Sequence, residues 1–316
     1  MMSKCRQMRE LLKRARPLVS PGIYDGYSGL LAQAMGFKTA STTGAGLANS
    51  LLGQPDIGLF SLRDNVDACR RLTHALDIPL MADADTGYGN AVTVYHVVQY
   101  FEEAGVVGIN IEDQFMPKRC GAMRGKELVE PLEMALKIEA ALKAKKDPDF
   151  IINARTDAIA VEGIEGTVKR VREYVAAGAD MIYPDAIRNE DDILRVLEAA
   201  DGVPVNINMG FGIRQRPTTP LIPFKRLGEM GVARISLPRF LPAAALHGMR
   251  QAILALQEGI QGDSVIDRPD LLVGMQEITD LVGYERIAAL ESELLSAEQL
   301  ERKYHEGSRD YVVKEH

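Results

Sequence analysis

Ala104-Gly105-Val106-Val107-Gly108-Ile109-Asn110-Ile111-Glu112-Asp113 holds the unit from which the chain is built. A helical pattern over 91–104 stops at the glycine, the residue that most readily takes the left-handed conformation ending a helix. The run over 106–112 is then nearly continuous in apolar residues, as in a strand covered on both faces. It ends on two acids. The same join returns at Ala177-Gly178-Ala179 and at Met230-Gly231-Val232. Working outward, a helix over 4–16 precedes a strand over 18–24, and a helix over 28–35 precedes a strand over 38–43. Helices over 61–76, 131–144, 164–177, 189–200 and 220–230 lead to strands over 78–84, 149–155, 180–184, 203–208 and 232–237, and a helix over 241–257 follows. Eight strands, each followed by a helix over about 240 residues, predict an α/β fold of the closed (β/α)8 TIM-type barrel. An open doubly wound sheet alternates in the same way but seldom reaches eight units.

The pattern divides the chain into a catalytic barrel over 1–257 and a C-terminal helical extension over 258–316. In the extension, Pro269 is expected to open a helix with Leu271, Met275, Ile278 and Val282 on one stripe. After Gly283 a second helix is expected over 285–304, carrying Ile287, Leu290 and Leu294. Spacing alone fits packing on the chain's own barrel or on another subunit.

Composition excludes several classes. The net charge of −7 is modest and basic residues form no block, which argues against nucleic acid or a membrane surface as partner. No apolar run reaches the length of a membrane span, and residues 1–16 lack the apolar core of a secretory signal. Three well-separated cysteines, Cys5, Cys69 and Cys120, make no disulfide framework. A cytoplasmic protein is the expectation.

In such barrels chemistry sits at the carboxyl ends of the strands. Those ends are polar here: Thr43-Gly44-Ala45, Asp83 with Asp85, Glu112 with Asp113, Arg155 with Asp157, Asp185, and Asn206 with Asn208. One acid ending a strand is usually the cap of the next helix. Six successive strands with polar ends, one of them an arginine, exceed what capping explains. Asp83 and Asp85 lie two apart, so on a strand they face one way and must share a proton or a cation. With Glu112 they make an oxygen-only set suited to Mg²⁺ or Mn²⁺ rather than zinc. Thr43-Gly44-Ala45-Gly46 offers backbone N–H groups to an anion or is a simple turn; Thr86-Gly87-Tyr88-Gly89 lacks phosphate-loop spacing and is read as a turn.

Cys120 lies among Lys118, Arg119, Arg124 and Lys126 in a loop containing Gly121. A lone cysteine is most often apolar filler, the reading given to Cys5 and Cys69. Cations around Cys120 favour its reactive, proton-exchanging form. The segment 116–126 is expected to act as a mobile basic lid that delivers this thiol.

Together these residues resemble the isocitrate lyase and phosphoenolpyruvate mutase superfamily. The resemblance rests on Pro55-Asp56, Asp83-Ala84-Asp85-Thr86-Gly87-Tyr88-Gly89, Ile111-Glu112-Asp113-Gln114, Pro117-Lys118-Arg119-Cys120-Gly121 and Ala154-Arg155-Thr156-Asp157-Ala158, in that order, over about residues 17–258. It implies Mg²⁺ nearest Asp85, with Asp83 and Glu112 in support, and a backbone clamp at Thr43, Gly44 and Ala45 for a substrate carboxylate or phosphonate. It places Asp56, Arg155 and Asn208 at substrate-site positions, Asp185 where the family has a glutamate, and Lys118, Arg119 and Gly121 beside the substrate. It also implies a homotetramer of helix-swapped dimers, which moves the tail towards another subunit. Lys-Arg-Cys-Gly marks the carbon–carbon lyases, with methylisocitrate- and dimethylmalate-type members nearest.

That chemistry suits the residues. Cleaving a 2-hydroxy acid leaves a carbanion that needs a proton, and Cys120 is placed to give it, while Arg155 neutralises the keto-acid end. The expected function is a Mg²⁺-dependent lyase splitting a branched 2-hydroxy di- or tricarboxylic acid to pyruvate or glyoxylate and a second acid. The alternatives are a phosphonomutase, an oxaloacetate-type decarboxylase, or a non-catalytic barrel. Two departures bear on substrate. Ala122 stands where the lyase signature has histidine, and the glutamate usual after the asparagine is missing from Asn208-Met209-Gly210-Phe211-Gly212. The longer segment over 213–219 carries Arg214 and Arg216, one or the other of which is expected to bind a second carboxylate in place of that histidine.

Overall fold

The computed structural model describes residues 2–305 apart from 15, 16, 215, 217 and 266. Its eight strands are β1 (Leu18–Ile23), β2 (Ala40–Thr42), β3 (Leu80–Asp83), β4 (Gly108–Glu112), β5 (Ile151–Thr156), β6 (Met181–Pro184), β7 (Asn206–Asn208) and β8 (Arg234–Leu237). They pair in parallel in the order β6-β5-β4-β3-β2-β1-β8-β7. A parallel bridge from Ile182 to Val205, just ahead of β7, brings the two ends of that order together, and Ile182 N–H donates to Pro204 O at 3.0 Å. The ring is the expected (β/α)8 barrel.

The longer helices begin with α1 (Lys4–Arg14), α2 (Gly26–Ala34), α3 (Leu62–Ala75) and α4 (Ala91–Glu103). α5 (Pro131–Ala144), α6 (Gly163–Ala176), α7 (Glu190–Ala199), α8 (Phe224–Met230) and α9 (Phe240–Gly262) follow. Local chemistry sets their ends. Asp25 caps α2 reciprocally with Ser28, and Asn90 Oδ1 accepts from the Val92 and Thr93 N–H groups at the start of α4. Gly105, Gly178 and Gly231 have φ of +85°, +91° and +103°, so the three glycine joins do end their helices in the left-handed region.

Ile109 and Ile111 of β4 are buried with Val97, Val98 and Phe101 of α4 and Met134, Ile138 and Ala141 of α5. Each large apolar side chain removed from water in this way contributes about 1.5–3 kcal/mol. α1 closes the amino end of the barrel. It buries Cys5, Met8 and Leu12, and Lys4 Nζ donates to Leu76 O at 2.6 Å. Arg9 reaches Asp149 O at 2.9 Å and Asp180 Oδ1 at 2.7 Å. These acceptors precede β3, β5 and β6, so the carboxyl ends of the strands form the open mouth.

The largest departures from the expected boundaries fall at three places. α8 starts at Phe224 rather than 220, because Pro220 and Pro223 disfavour helical backbone before them. α9 runs on to Gly262. In the tail, three helices replace the two expected: α10 (Met275–Leu281), α11 (Tyr284–Leu294) and α12 (Ala297–Lys303). Pro269 is followed by a turn, with the Leu271 and Leu272 N–H groups on Arg268 O, and a Ser296–Gln299 capping box starts α12 afresh.

The chain forms two compact units, residues 1–250 and 251–316. In the second, Ile287, Leu290 and Leu294 of α11 are 47%, 48% and 69% exposed, and α10, α11 and α12 bury no residue.

Candidate active site

Strand register assembles the site. β4 and β5 align Glu112 beside Arg155, and β3 and β4 align Asp83 beside Asn110. The Arg155 guanidinium, itself buried, then collects acids. Its Nε lies 2.8 Å from Asp157 Oδ2 and 3.2 Å from Glu112 Oε2, and its Nη2 lies 3.1 Å from both Asp157 Oδ1 and Asp185 Oδ2. The Tyr183 ring stacks under it at 5.2 Å, while the Tyr183 hydroxyl donates to Asp185 Oδ1 at 3.0 Å. Asn208 Nδ2 donates to the same oxygen at 3.2 Å. Burial alone would raise Asp157, yet Arg155 and Lys126, the latter at 2.7 Å, hold its carboxyl well below the usual range.

The expected metal acids lie on the neighbouring wall. β3 ends at Asp83, and Asp85 follows with φ of +48°, so the pair does not share a strand face; the turn brings Asp85 back so that its N–H donates to Asp83 Oδ1 at 3.3 Å. Both carboxylates converge on Gly44. A Cβ there would lie 2.7 Å from Asp83 Oδ2 and 3.7 Å from Asp85 Oδ1, so glycine is required for the close approach. Glu112 is 1% exposed, and neither of its carboxylate oxygens makes a hydrogen bond among the described residues. Burial drives Glu112 well above its ordinary pKa against the pull of Arg155 and Lys118, and pushes Asp85 up to about 6 against the pull of Lys118.

These features fit a hard divalent cation. Asp56, Asp83, Asp85, Glu112, Asp157 and Asp185 face Lys118, Lys126, Arg155 and Arg239. The two negative charges in excess match one such ion. Among the described residues no three acidic, histidine or cysteine side chains are close enough to hold an ion by themselves, so water and substrate oxygens would complete its shell.

One cavity collects Thr43, Gly44, Ala45, Asp56, Asp83, Cys120, Gly121, Arg155, Asp185 and Asn208 on its wall. Asp85 and Glu112 are buried nearby but do not line it. Gly44 N–H is already engaged by Asp83 Oδ2 at 3.3 Å, which leaves Thr43-Gly44-Ala45, the cap and first residues of a short helix over Gly44–Leu47, with one donor fewer for an anion.

The cations around the thiol are arranged differently from expectation. Lys118 is 2% exposed and its Nζ bridges Asp56 at 2.5 Å and Asp85 at 2.7 Å, so it neutralises carboxylates instead of reaching the cavity. Lys126 is spent on Asp157. Gln114 holds the Arg119 N–H and carbonyl at 2.8 Å each, and Cys120 N–H donates to Asp56 O at 3.1 Å. The supposed lid is therefore strapped at several points. Arg214 and Arg216 are exposed and do not line the cavity; Arg216 Nη1 instead meets Ala122 O at 3.5 Å.

Sequence reasoning missed Arg239, Tyr183, Ser236 and Arg234. Arg239 Nη2 lies 2.9 Å from Cys120 Sγ on the cavity wall. Its position two residues after β8, the last of the eight strand ends, was the available signal. Arg234 is fully buried in the barrel, donates to Asn206 Oδ1 at 3.0 Å and to the Ser20 and Ser41 hydroxyls, and is lowered to about 10 by burial. Cys5 and Cys69 are buried thiols pushed up to about 12, chiefly by burial, in keeping with a filler role.

With this geometry in hand, the relatives are informative. The family described as phosphoenolpyruvate phosphomutase matches residues 8–257. The 2,3-dimethylmalate lyase of Eubacterium barkeri is 37% identical over 291 residues, covering 92% of this chain and 98% of that protein. The 2-methylisocitrate lyase of Shewanella oneidensis is 35% identical over 289 residues, covering 91% and 95%. Among solved structures, a 2,3-dimethylmalate lyase superposes with a TM-score of 0.84 at 30% identity, covering 94% of this chain and 97% of that one. Phosphonopyruvate hydrolase in complex with oxalate and Mg²⁺ superposes with a TM-score of 0.81 at 29% identity, covering 93% and 100%. The chain belongs to the phosphoenolpyruvate mutase/isocitrate lyase superfamily, on its carbon–carbon lyase side.

Proposed function

We propose that the chain is a Mg²⁺-dependent lyase that splits a branched 2-hydroxy di- or tricarboxylic acid, of dimethylmalate or methylisocitrate type, into pyruvate or glyoxylate and a second carboxylic acid. The observation that carries this reading is the sharing of one cavity by the Cys120 thiol, Arg155 and Asp83. It sets a proton donor at one end of the substrate and charge-stabilising groups at the other.

Asp83, Asp85 and Glu112 would hold the ion, with Mn²⁺ as a substitute. When bound, it would polarise the oxygens of the keto-acid half. Arg155, fixed by Asp157, Asp185 and Glu112, would orient the carboxylate of that half, with Asn208 beside it. Asp56 lines the cavity and uses Oδ1 for Lys118, and no partner of its Oδ2 is found among the described residues, so it would accept the hydroxyl proton. As the carbon–carbon bond breaks, its electron pair stays on the carbon of the second acid, and Cys120 would protonate that carbon. Phosphoryl migration needs no such thiol, which favours the lyase over the phosphonomutase.

The chain would act as a tetramer of helix-exchanged dimers, a reading supported by the apolar residues that α11 leaves exposed. No described helix is long and apolar enough to cross a membrane. The function is tested by supplying 2,3-dimethylmalate and 2-methylisocitrate with Mg²⁺ and following keto-acid release, with phosphonopyruvate followed in parallel by phosphorus NMR. Pyruvate from a branched malate or citrate is expected; phosphonopyruvate rearrangement with no keto acid from either substrate would overturn the reading.

A further inference from the structure

Two guanidinium groups line the catalytic cavity, and they are not equivalent. Arg155 is surrounded by Asp157, Asp185 and Glu112, so its neighbourhood carries net negative charge. Arg239 has no carboxylate within ion-pair distance among the described residues. Its one side-chain partner among them is the Cys120 sulfur at 2.9 Å, and a neutral thiol is a weak acceptor. Asp56 and Asp185 act on it only from farther away. A half-buried cation with so little compensation is costly unless an anion joins it.

We infer that Arg239 binds the second carboxylate of the substrate, the one borne by the carbon that Cys120 protonates, and so sets the requirement for a dicarboxylic acid. The part naming the substrate rests on the lyase reading above; the part assigning an anion site beside Cys120 does not. This role replaces the one expected of Arg214 or Arg216, which lie outside the cavity. When the carbon–carbon bond breaks, its electron pair spreads from the carbon into that carboxylate, and Arg239 faces the charge as it grows. The Cys120 S–H proton then forms the new C–H bond. The S–H electron pair remains on sulfur as a thiolate, against the same guanidinium, until solvent returns the proton. The step is redox-neutral and needs no co-reactant. Arg239 thus touches both the anion that forms on carbon and the one left on sulfur.

The test uses the full chain in Mg²⁺ buffer at one pH and compares alkylation of Cys120 by iodoacetate, an anion, and by iodoacetamide, its neutral analogue, read on the Cys120 peptide by mass spectrometry. Both reagents meet the same thiolate fraction, so the ratio of their rates reports attraction of a carboxylate. Relative to a neutral cysteine peptide, the wild-type ratio should be raised about tenfold, Arg239→Gln should abolish the gain, and Arg239→Lys should keep part of it. A wild-type ratio equal to that of the peptide, or a raised ratio unchanged in Arg239→Gln, overturns the inference; the first comparison needs no variant to fold. In parallel, Arg239→Gln should raise KM for a cleaved dicarboxylic substrate. A raised ratio lost in Arg239→Gln, in a protein that cleaves no branched hydroxy acid, would uphold the anion site and sink the lyase reading. Cleavage by wild type with an unperturbed ratio would do the reverse.

Discussion

Asp85 is the residue through which pH should reach the proposed metal site. Its carboxyl is pushed up to about 6 from an ordinary 3.8, first by burial, with Lys118 opposing. A raised carboxyl pKa means that the folded, metal-free protein gains stability from this group below about 4 and loses it as pH rises through about 6. A divalent ion binds the ionised form and so reverses the trend. The rise in Tm produced by saturating Mg²⁺ should therefore be larger at pH 7.5 than at pH 5, as measured by differential scanning fluorimetry. A shift independent of pH would remove Asp85 from the ion. At this scale the acids other than Asp56 were legible in sequence because each lies at, or within two residues of, the end of a strand. The partners of Lys118 and the role of Arg239 were not. Lys118 reads as a cation beside the thiol and the substrate until Asp56 and Asp85, 62 and 33 positions earlier, close around it, and Arg239 falls in the join between the expected strand over 232–237 and the expected helix over 241–257.

The element that joins acid to thiol is the loop between β4 and α5. Gln114 pairs with Leu128 in an antiparallel bridge, the Gln114 side chain clamps Arg119, and Lys118 and Lys126 are sunk into ion pairs at either side of Cys120. Its local sequence, rich in cations and glycine, describes a lid. What fixes it are partners on other strands, which no local pattern reveals. Gly121 shows how little room remains, since a Cβ there would overlap the Asp185 carboxylate, 2.8 Å from its Cγ, and come within 3.2 Å of Arg155 Nη2. Gly121→Ala should shift the loop away from the arginine and lower kcat about a hundredfold, with Tm nearly unchanged. Wild-type kcat in that variant would mean that the loop need not sit where it does.

Over the whole molecule, the barrel was legible because one unit of helix, glycine and apolar strand recurs, so errors of a few residues at one boundary left the count of eight intact. The tail offered no such redundancy. Its start was misplaced at Pro269, and the Ser296 cap was hidden inside an unbroken helical pattern. Exposed apolar residues on α11 support the proposed burial in an assembly. Leu290→Glu should convert the proposed tetramer to a smaller species in sedimentation velocity, and an unchanged mass would place the interface elsewhere.

The reading as a whole stands on Cys120 delivering a proton to a carbanion. The most direct measurement is steady-state cleavage of 2,3-dimethylmalate by wild type and by Cys120→Ser, with binding of the keto-acid product followed by calorimetry. Serine keeps the size of the group but is a far weaker acid, so kcat should fall by about two to four orders of magnitude while product affinity stays the same. A Cys120→Ser protein that turns over at the wild-type rate would contradict the account.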